Sequence, residues 1–143
     1  MKIKSINPYT EEVNWTYDSF SFAECEAKIE NSRAAFSVWS LLPVEERAKH
    51  FTRVSSVLRQ NTEIYAEIIT KEMGKPIRQS RGEIEKCAWL CDYYAENAAE
   101  FLKDEIVDTG AEKSYVTFEP LGVIFGIMPW NFPFWQVFRF AVP

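Results

Sequence analysis

Residues 120–143 read PLGVIFGIMPWNFPFWQVFRFAVP, and the rest of the chain is best interpreted from this stretch outward. From residue 120 to residue 138 it contains nineteen consecutive residues without a charge. Asn131 interrupts this run between Pro129 and Pro133. A buried amide without a hydrogen-bond partner costs roughly 1 to 3 kcal/mol of desolvation. Asn131 is therefore the residue whose presence most needs a structural or functional reason.

Three interpretations of this stretch are open. The uncharged run is long enough for a membrane span, but two prolines within five residues would break such a helix inside lipid. In the second interpretation a buried strand turns through a proline-rich corner into a buried helix that begins near Pro133. In the third, Asn131 follows the carboxyl end of a buried strand, where open α/β sheets place their ligands, and its amide stabilises a developing oxyanion. Periodicity alone does not decide between the second and the third.

Composition narrows the class of protein. The chain has 143 residues with 47% hydrophobic content, which suits one domain with its own core. Sixteen basic against 21 acidic residues give a net charge of -5, so neither nucleic acid nor an anionic membrane is an expected partner. Three cysteines form no disulfide framework, and the first ten residues lack the apolar core of a secretory signal. We expect a cytoplasmic protein with reduced thiols.

The amino-terminal two thirds of the chain predict a hairpin followed by helices. Alternating apolar residues around Asn7-Pro8 predict two antiparallel strands over residues 2–17. A capping box at Ser21 to Glu24 starts the first helix, which is expected to run to about Ser40. Three more helices are expected, one after Pro43, one from residue 61 or 62 to Gly74, and a long one from Pro76 to about Val107.

The chemistry-bearing residues of these helices have simpler structural explanations. Cys25 falls on the predicted buried face of the first helix, as a small core residue. Cys87 and Cys91 lie four apart on one helix face; a metal or redox pair is conceivable, but burial is favoured because no second ligand pair exists. His50 has no ligand cluster at metal-binding spacing, so no metal is expected. The charges on the other face of the long helix predict a solvated surface: Arg81, Glu83, Glu85, Lys86, Glu96 and Glu100.

After Gly110 the apolar period changes from helical to strand spacing. Ser114 to Glu119 alternates on two sides, which predicts a strand at a sheet edge or one that pairs with a partner subunit. Leu121 to Met128 is apolar on both sides, as expected of a strand covered on both faces.

Specific motifs in this chain resemble the NAD(P)-dependent aldehyde dehydrogenase family. IMPWNFP, residues 127–133, follows PLGVI in the manner of that family's signature. INPYTEE resembles the family's opening strands and PVEERAKHFTRVSSVLRQN its second helix. EIITKEMGKPIRQSRGEIEKCAWLCDYYAENA resembles its long central helical region. The resemblance covers essentially the whole chain and is closest to the succinate-semialdehyde dehydrogenase-like branch.

The resemblance implies an α/β fold class, as the N-terminal part of an aldehyde dehydrogenase-like fold. It would be helix-rich, with an N-terminal antiparallel hairpin, an oligomerisation-type strand and the first strand of an incomplete Rossmann-like sheet. Residues 1–110 would hold the strands and helices, 113–119 the oligomerisation-type strand and 120–143 the start of the dinucleotide-binding domain. NAD or NADP would be the cofactor and a small-molecule aldehyde the substrate, with succinic semialdehyde expected.

The resemblance also assigns roles to individual residues. Asn131 matches the asparagine that stabilises the thiohemiacetal oxyanion, and Ser114 to Glu119 would join subunits of a homo-oligomer. Arg139 is a candidate partner for the distal carboxylate of the substrate, or else a surface or interface charge. The residues expected to line the cofactor, largely through backbone atoms, are Ile127, Met128, Pro129, Trp130 and Asn131.

Several parts of the family pattern have no counterpart in this sequence. There is no glycine-rich phosphate-binding turn, no general-base glutamate in its motif and no cysteine in the nucleophile motif. We therefore expect a fragment that is inactive alone. The alternative is a non-catalytic module that self-associates or binds a partner through its strand edge and its aromatic end.

Overall fold

The computed structural model describes residues 2–143, which form five helices and two small antiparallel sheets. The elements in chain order are β1 Lys2–Ile6, β2 Val13–Asp18, α1 Phe22–Trp39, α2 Val44–Gln60, α3 Thr62–Met73, α4 Ile77–Phe101, β3 Glu105–Ile106, β4 Tyr115–Val116 and α5 Pro133–Ala141. The predicted helix-rich α/β organisation with an N-terminal hairpin is confirmed.

The hairpin of β1 and β2 is closed by a side-chain turn. Asn7 Oδ1 accepts from the N–H of Tyr9 at 2.9 Å, the local bond that makes asparagine a turn residue. The two strands pair antiparallel with an irregularity between Ser5 and Ile6. Asn14 Nδ2 donates to the carbonyl of Lys71 at 3.0 Å, which ties the hairpin to the end of α3.

The predicted capping box of α1 is present, but the predicted burial of this helix is wrong. Ser21 Oγ accepts from the N–H of Glu24, while Glu24 Oε2 accepts from the N–H of Ser21 at 2.7 Å. No residue of α1 is buried, and Cys25 is exposed. The apolar spacing of α1 shows which face of the helix is apolar, but it does not show which surface would bury that face. Its Ile29 and Phe36 face residues 122–125 only across an open groove.

The core lies between α2, α3, α4 and α5. Three of these helices, α2, α3 and α4, supply its buried side chains: Leu58, Ile69, Ile84, Cys87, Ala88, Leu90 and Cys91. Val142, just past α5, completes the cluster. Aromatic side chains pack around this cluster, with Tyr65 and Phe134 separated by 5.4 Å between ring centroids. The core therefore holds α5, and the turn that leads into it, against the long helix α4.

The region between α4 and α5 differs from the prediction in extent. Helix α4 ends at Phe101 rather than near Val107, because Glu105–Ile106 instead pairs with Tyr115–Val116. Cross-strand hydrogen bonds replace helical ones there, although the apolar spacing fits both. Within the predicted strand 114–119, only Tyr115 and Val116 belong to this two-stranded sheet, and the carbonyl of Ser114 accepts a further hydrogen bond from the N–H of Val107 at 2.9 Å.

The predicted strand over 121–128 is not formed within the described residues. Residues 121–128 have no assigned secondary structure, and Phe125 and Ile127 are strongly exposed. A strand requires a hydrogen-bonded neighbour, and no other part of residues 2–143 pairs with this segment. In the part of the chain that the structure describes, no helix combines the length and apolar character needed to cross a bilayer.

Candidate functional site

A short turn over residues 130–132 joins the extended segment to α5. Pro133 begins the helix, where a missing N–H costs nothing. Asn131 lies in this turn and is exposed, so its amide does not incur the desolvation cost of a buried polar group. The turn displays the carboxamide at the surface, at the head of α5, instead of enclosing it.

The beginning of α5 lacks a cap of its own. Phe132 occupies the cap position with φ −140° and ψ 76°, and its side chain has no oxygen to accept from the first helical N–H groups. Glu83 of α4 accepts them instead. Its Oε1 lies 2.9 Å from the nitrogen of Phe134 and 3.0 Å from that of Trp135. A carboxylate from another helix thus does what a serine or aspartate usually does from the cap position.

Lys75 neutralises this buried carboxylate. The Glu83 and Lys75 side chains form an ion pair, with only 2% and 7% of their surfaces exposed. Lys75 Nζ also lies 3.8 Å from the centroid of the Phe132 ring, a cation–π contact with the residue after Asn131. The pair therefore contacts the turn from both sides, through the helix N–H groups and through the Phe132 ring.

A shallow hollow beside the turn brings together several predicted site residues. Ile127, Met128 and Pro129 line it together with Arg139, which is exposed on α5. Trp130 and Asn131 are not part of this lining, and Trp130 is 77% exposed.

Gly126 lets the extended segment approach α5 closely at this hollow. A Cβ at Gly126 would lie 2.5 Å from Met128 Cε and 2.8 Å from Phe140 Cε1. The hollow has apolar walls from the segment and polar side chains, Gln136 and Arg139, from α5. This combination suits the flat ring and charged groups of a nucleotide cofactor.

The three cysteines do not form a reactive site. Cys87 and Cys91 are fully buried in the core, which confirms the structural interpretation. Burial raises the pKa of Cys87 to about 12 and that of Cys91 to about 11, so neither is a thiolate at neutral pH. Among residues 2–143 no cluster of potential metal ligands is present, and His50 is exposed beside Trp39.

The sequence prediction missed Glu83 by placing it on a solvated face. A signal was available, because Glu83 lies three residues after Ser80 and four before Cys87, both of which are buried. A glutamate on a buried helical stripe requires a cationic partner, and Lys75 is the buried lysine of the Gly74-Lys75-Pro76 connection.

Comparison with known proteins identifies similar chains. The model of the "Aldehyde dehydrogenase family" matches residues 1–143. A probable succinate-semialdehyde dehydrogenase [NADP(+)] of Synechocystis is 43% identical over 143 residues, which are 100% of this chain and 32% of the relative. The succinate semialdehyde dehydrogenase [NAD(P)+] Sad of Escherichia coli is 40% identical over 139 residues, or 97% of this chain and 30% of the relative.

Solved structures give the same result for the fold. The succinic semialdehyde dehydrogenase of Streptococcus pyogenes, in complex with NADP+, superposes with a TM-score of 0.90 at 36% identity. The match covers 95% of this chain and 30% of that one. The chain thus spans about a third of the length of the relatives that it matches.

Proposed function

Since this chain belongs to the aldehyde dehydrogenase family, whose model matches all 143 residues, we propose that it forms the amino-terminal part of an NAD(P)-dependent enzyme that oxidises an aldehyde to the acid. The substrate is succinic semialdehyde, as in the names of the Synechocystis and E. coli relatives. The observation that carries the proposal is the exposed Asn131 amide, held at the head of α5 beside a hollow lined by Ile127, Met128 and Pro129.

In this proposal Asn131 donates an N–H to the substrate oxygen. A cysteine thiolate attacks the aldehyde carbon, the carbonyl π electrons move to oxygen, and the resulting oxyanion accepts the hydrogen bond from Asn131. Collapse of the oxyanion expels hydride, for which NAD or NADP would be the acceptor, and leaves a thioester, which water hydrolyses to the acid and the free thiol. Buried Cys87 and Cys91 do not suit the nucleophile's role, and neither does Cys25, on a helix outside the core.

The residues that would hold the cofactor are those of the hollow formed by residues 126–129 and α5. When bound there, NAD or NADP supplies the hydride acceptor. Ile127, Met128 and Pro129 would present backbone atoms and apolar surface to its ring. Arg139 contributes a cation at the same hollow, available to an anionic group of the substrate or cofactor.

The test uses a chimaera in which this chain replaces the matching third of the Synechocystis relative. Reduction of NAD and NADP with succinic semialdehyde is followed by absorbance. Asn131→Ala is expected to lower kcat by about a hundred- to a thousandfold, because the donor acts on charge that develops in the transition state. Asn31→Ala, which removes an exposed amide from α1, is the matched control and keeps full activity.

Two results would contradict the proposal. One is an active chimaera in which Asn131→Ala changes kcat less than about threefold, well below the effect of removing an oxyanion donor. The other is aldehyde-dependent cofactor reduction by the 143-residue polypeptide alone, which is expected to have none because no activated thiolate faces Asn131.

A second candidate function is favoured by exposed surface. Strand β4 is paired on one edge only within residues 2–143, and Ile124, Phe125 and Ile127, which follow it in the chain, are largely exposed. We propose that residues 114–119 pair with a second copy of the chain. Without catalysis, the chain would then serve as a self-associating structural module.

A further inference from the structure

We infer that Glu83 and Lys75 are positioning residues for Asn131, because they hold the turn of residues 130–132 and the head of α5 in one arrangement. This inference rests on the proposed function for its catalytic consequence. The capping contact itself stands on the geometry alone.

Burying the charges of Glu83 and Lys75 has a cost in free energy. Ion pairs placed in a protein interior often stabilise it less than apolar residues of the same volume would. The side chains of Glu83 and Lys75 are nevertheless both more than nine-tenths buried. Their placement is explained by what they contact, which is the backbone and the ring of the segment that carries Asn131.

Glu83 fixes the backbone at the beginning of α5. Phe134 and Trp135 are the second and third residues of α5, and their N–H groups have no intrahelical acceptor. Both converge on the same Glu83 oxygen, which sets the position and direction of the helix start. Asn131 precedes Pro133 by only two residues, so a shift of this helix start moves its amide.

Lys75 holds the other side of the turn, at the Phe132 ring. Its ammonium group lies over the Phe132 ring and pairs with Glu83 at the same time. Lys86 of α4 similarly lies 3.8 Å from the centroid of the Trp135 ring. The residues on both sides of the helix start are therefore held from α4 and its leading connection. A misplacement of about 1 Å in an active site can cost on the order of a hundredfold in rate.

Hydrogen exchange on the 143-residue chain tests the capping contact. Phe134, Glu45 and Arg78 are each the second residue of a helix without a side-chain cap from its own cap residue. Only Phe134 has a remote acceptor, so its amide is expected to exchange at least about tenfold more slowly than the other two. Glu83→Ala abolishes this difference, whereas Glu85→Ala, on the exposed side of α4, does not. Equal exchange at the three amides overturns the contact.

Kinetics of the chimaera test the positioning role. Glu83→Gln and Lys75→Met are each expected to lower kcat about tenfold or more while leaving KM for the aldehyde nearly unchanged, since a misdirected donor is lost only in the transition state. Lys75→Met leaves the buried carboxylate of Glu83 unpaired. The double variant Lys75→Met with Glu83→Gln removes that charge as well, so it is expected to recover part of the loss in kcat.

The deciding measurement is Glu83→Gln in the Asn131→Ala background. A residue that acts through Asn131 has no further effect once that amide is gone, whereas an independent structural role gives the same loss in both backgrounds. The second result overturns the inference. An active chimaera that is insensitive to Asn131→Ala removes the proposed function and the positioning role together, and the exchange experiment still decides the capping contact separately.

Discussion

At the scale of single residues, two polar side chains have a burial opposite to that suggested by their neighbours in the sequence. Asn131 is exposed although it lies in the most apolar stretch, and Glu83 is buried although it lies among charged neighbours. The two facts are connected, since the buried carboxylate satisfies the helix start that the turn of residues 130–132 leaves uncapped. The turn can therefore present its amide outward without leaving backbone N–H groups unpaired.

The cysteines give a residue-scale prediction about reactivity. At pH 8 one thiol per folded chain, Cys25, is expected to react rapidly with dithionitrobenzoate, because it alone is exposed. Cys87 and Cys91 are expected to react only after unfolding, since burial raises the pKa of each thiol. Cys25→Ser should abolish the rapid reaction of the folded chain and leave the reaction of Cys87 and Cys91 after unfolding unchanged.

The sign of the accompanying pH effect follows from the same shifts. The folded-state pKa values of Cys87 and Cys91, about 12 and about 11, lie above those of an unfolded chain. Their contribution to stability is therefore complete below the unfolded-state pKa and is lost as pH rises toward these values. In the reactivity experiment, two or more thiols that react rapidly with dithionitrobenzoate in the folded chain at pH 8 would contradict the burial of Cys87 and Cys91.

At the scale of elements, α3 and α4 are joined by Gly74, whose φ of 71° is a left-handed conformation that an alanine adopts at a cost. A Cβ there would also lie 3.0 Å from Pro8 Cγ of the hairpin turn. The glycine thus permits both the end of α3 and the docking of the hairpin.

Two alanine substitutions are expected to act in opposite directions. Gly74→Ala should lower the free energy of unfolding by about 1 kcal/mol or more, from backbone strain and the contact with Pro8. Gly82→Ala, in the interior of α4 with no atom near its Cβ position, should raise it by roughly 0.5 to 1 kcal/mol. Urea unfolding monitored by circular dichroism measures both. If Gly74→Ala leaves the free energy of unfolding unchanged or raises it, the connection carries no special backbone requirement.

The elements also show how far local pattern determines structure. The capping box at Ser21 and the glycine stop at Gly74 were predictable because each is specified within a few residues. The partner of α1 and the pairing of residues 121–128 were not predictable. The spacing of apolar residues along the sequence indicates which face is apolar, but not which other element covers that face. Asn131 itself was identified from its sequence context, whereas its supporting pair required the contact between α4 and α5.

At the scale of the whole molecule, the core lies to one side and much apolar surface is uncovered. Helix α1 has no buried residue, and the segment 121–127 is exposed for most of its length. Exposed apolar patches of this kind mark surfaces at which proteins associate. Helices α2 to α5 surround the core, and the uncovered apolar surface lies on α1, β4 and the segment 121–127.

The free edge of β4 is available for pairing with a second copy of the chain, since within residues 2–143 only β3 pairs with this strand. The 143-residue chain is expected to form an oligomer, with a mass in multiples of 16.7 kDa by light scattering, through pairing of residues 114–119 with a second copy. Val116→Lys should shift the mass toward that of the monomer, because a charge on a strand edge opposes pairing with an identical strand. Val57→Lys is the matched control on α2, since the two valines are similarly exposed at 46% and 48%. If both variants keep the mass of the unmodified chain, association does not use this edge, and the self-associating module loses the observation on which it rests.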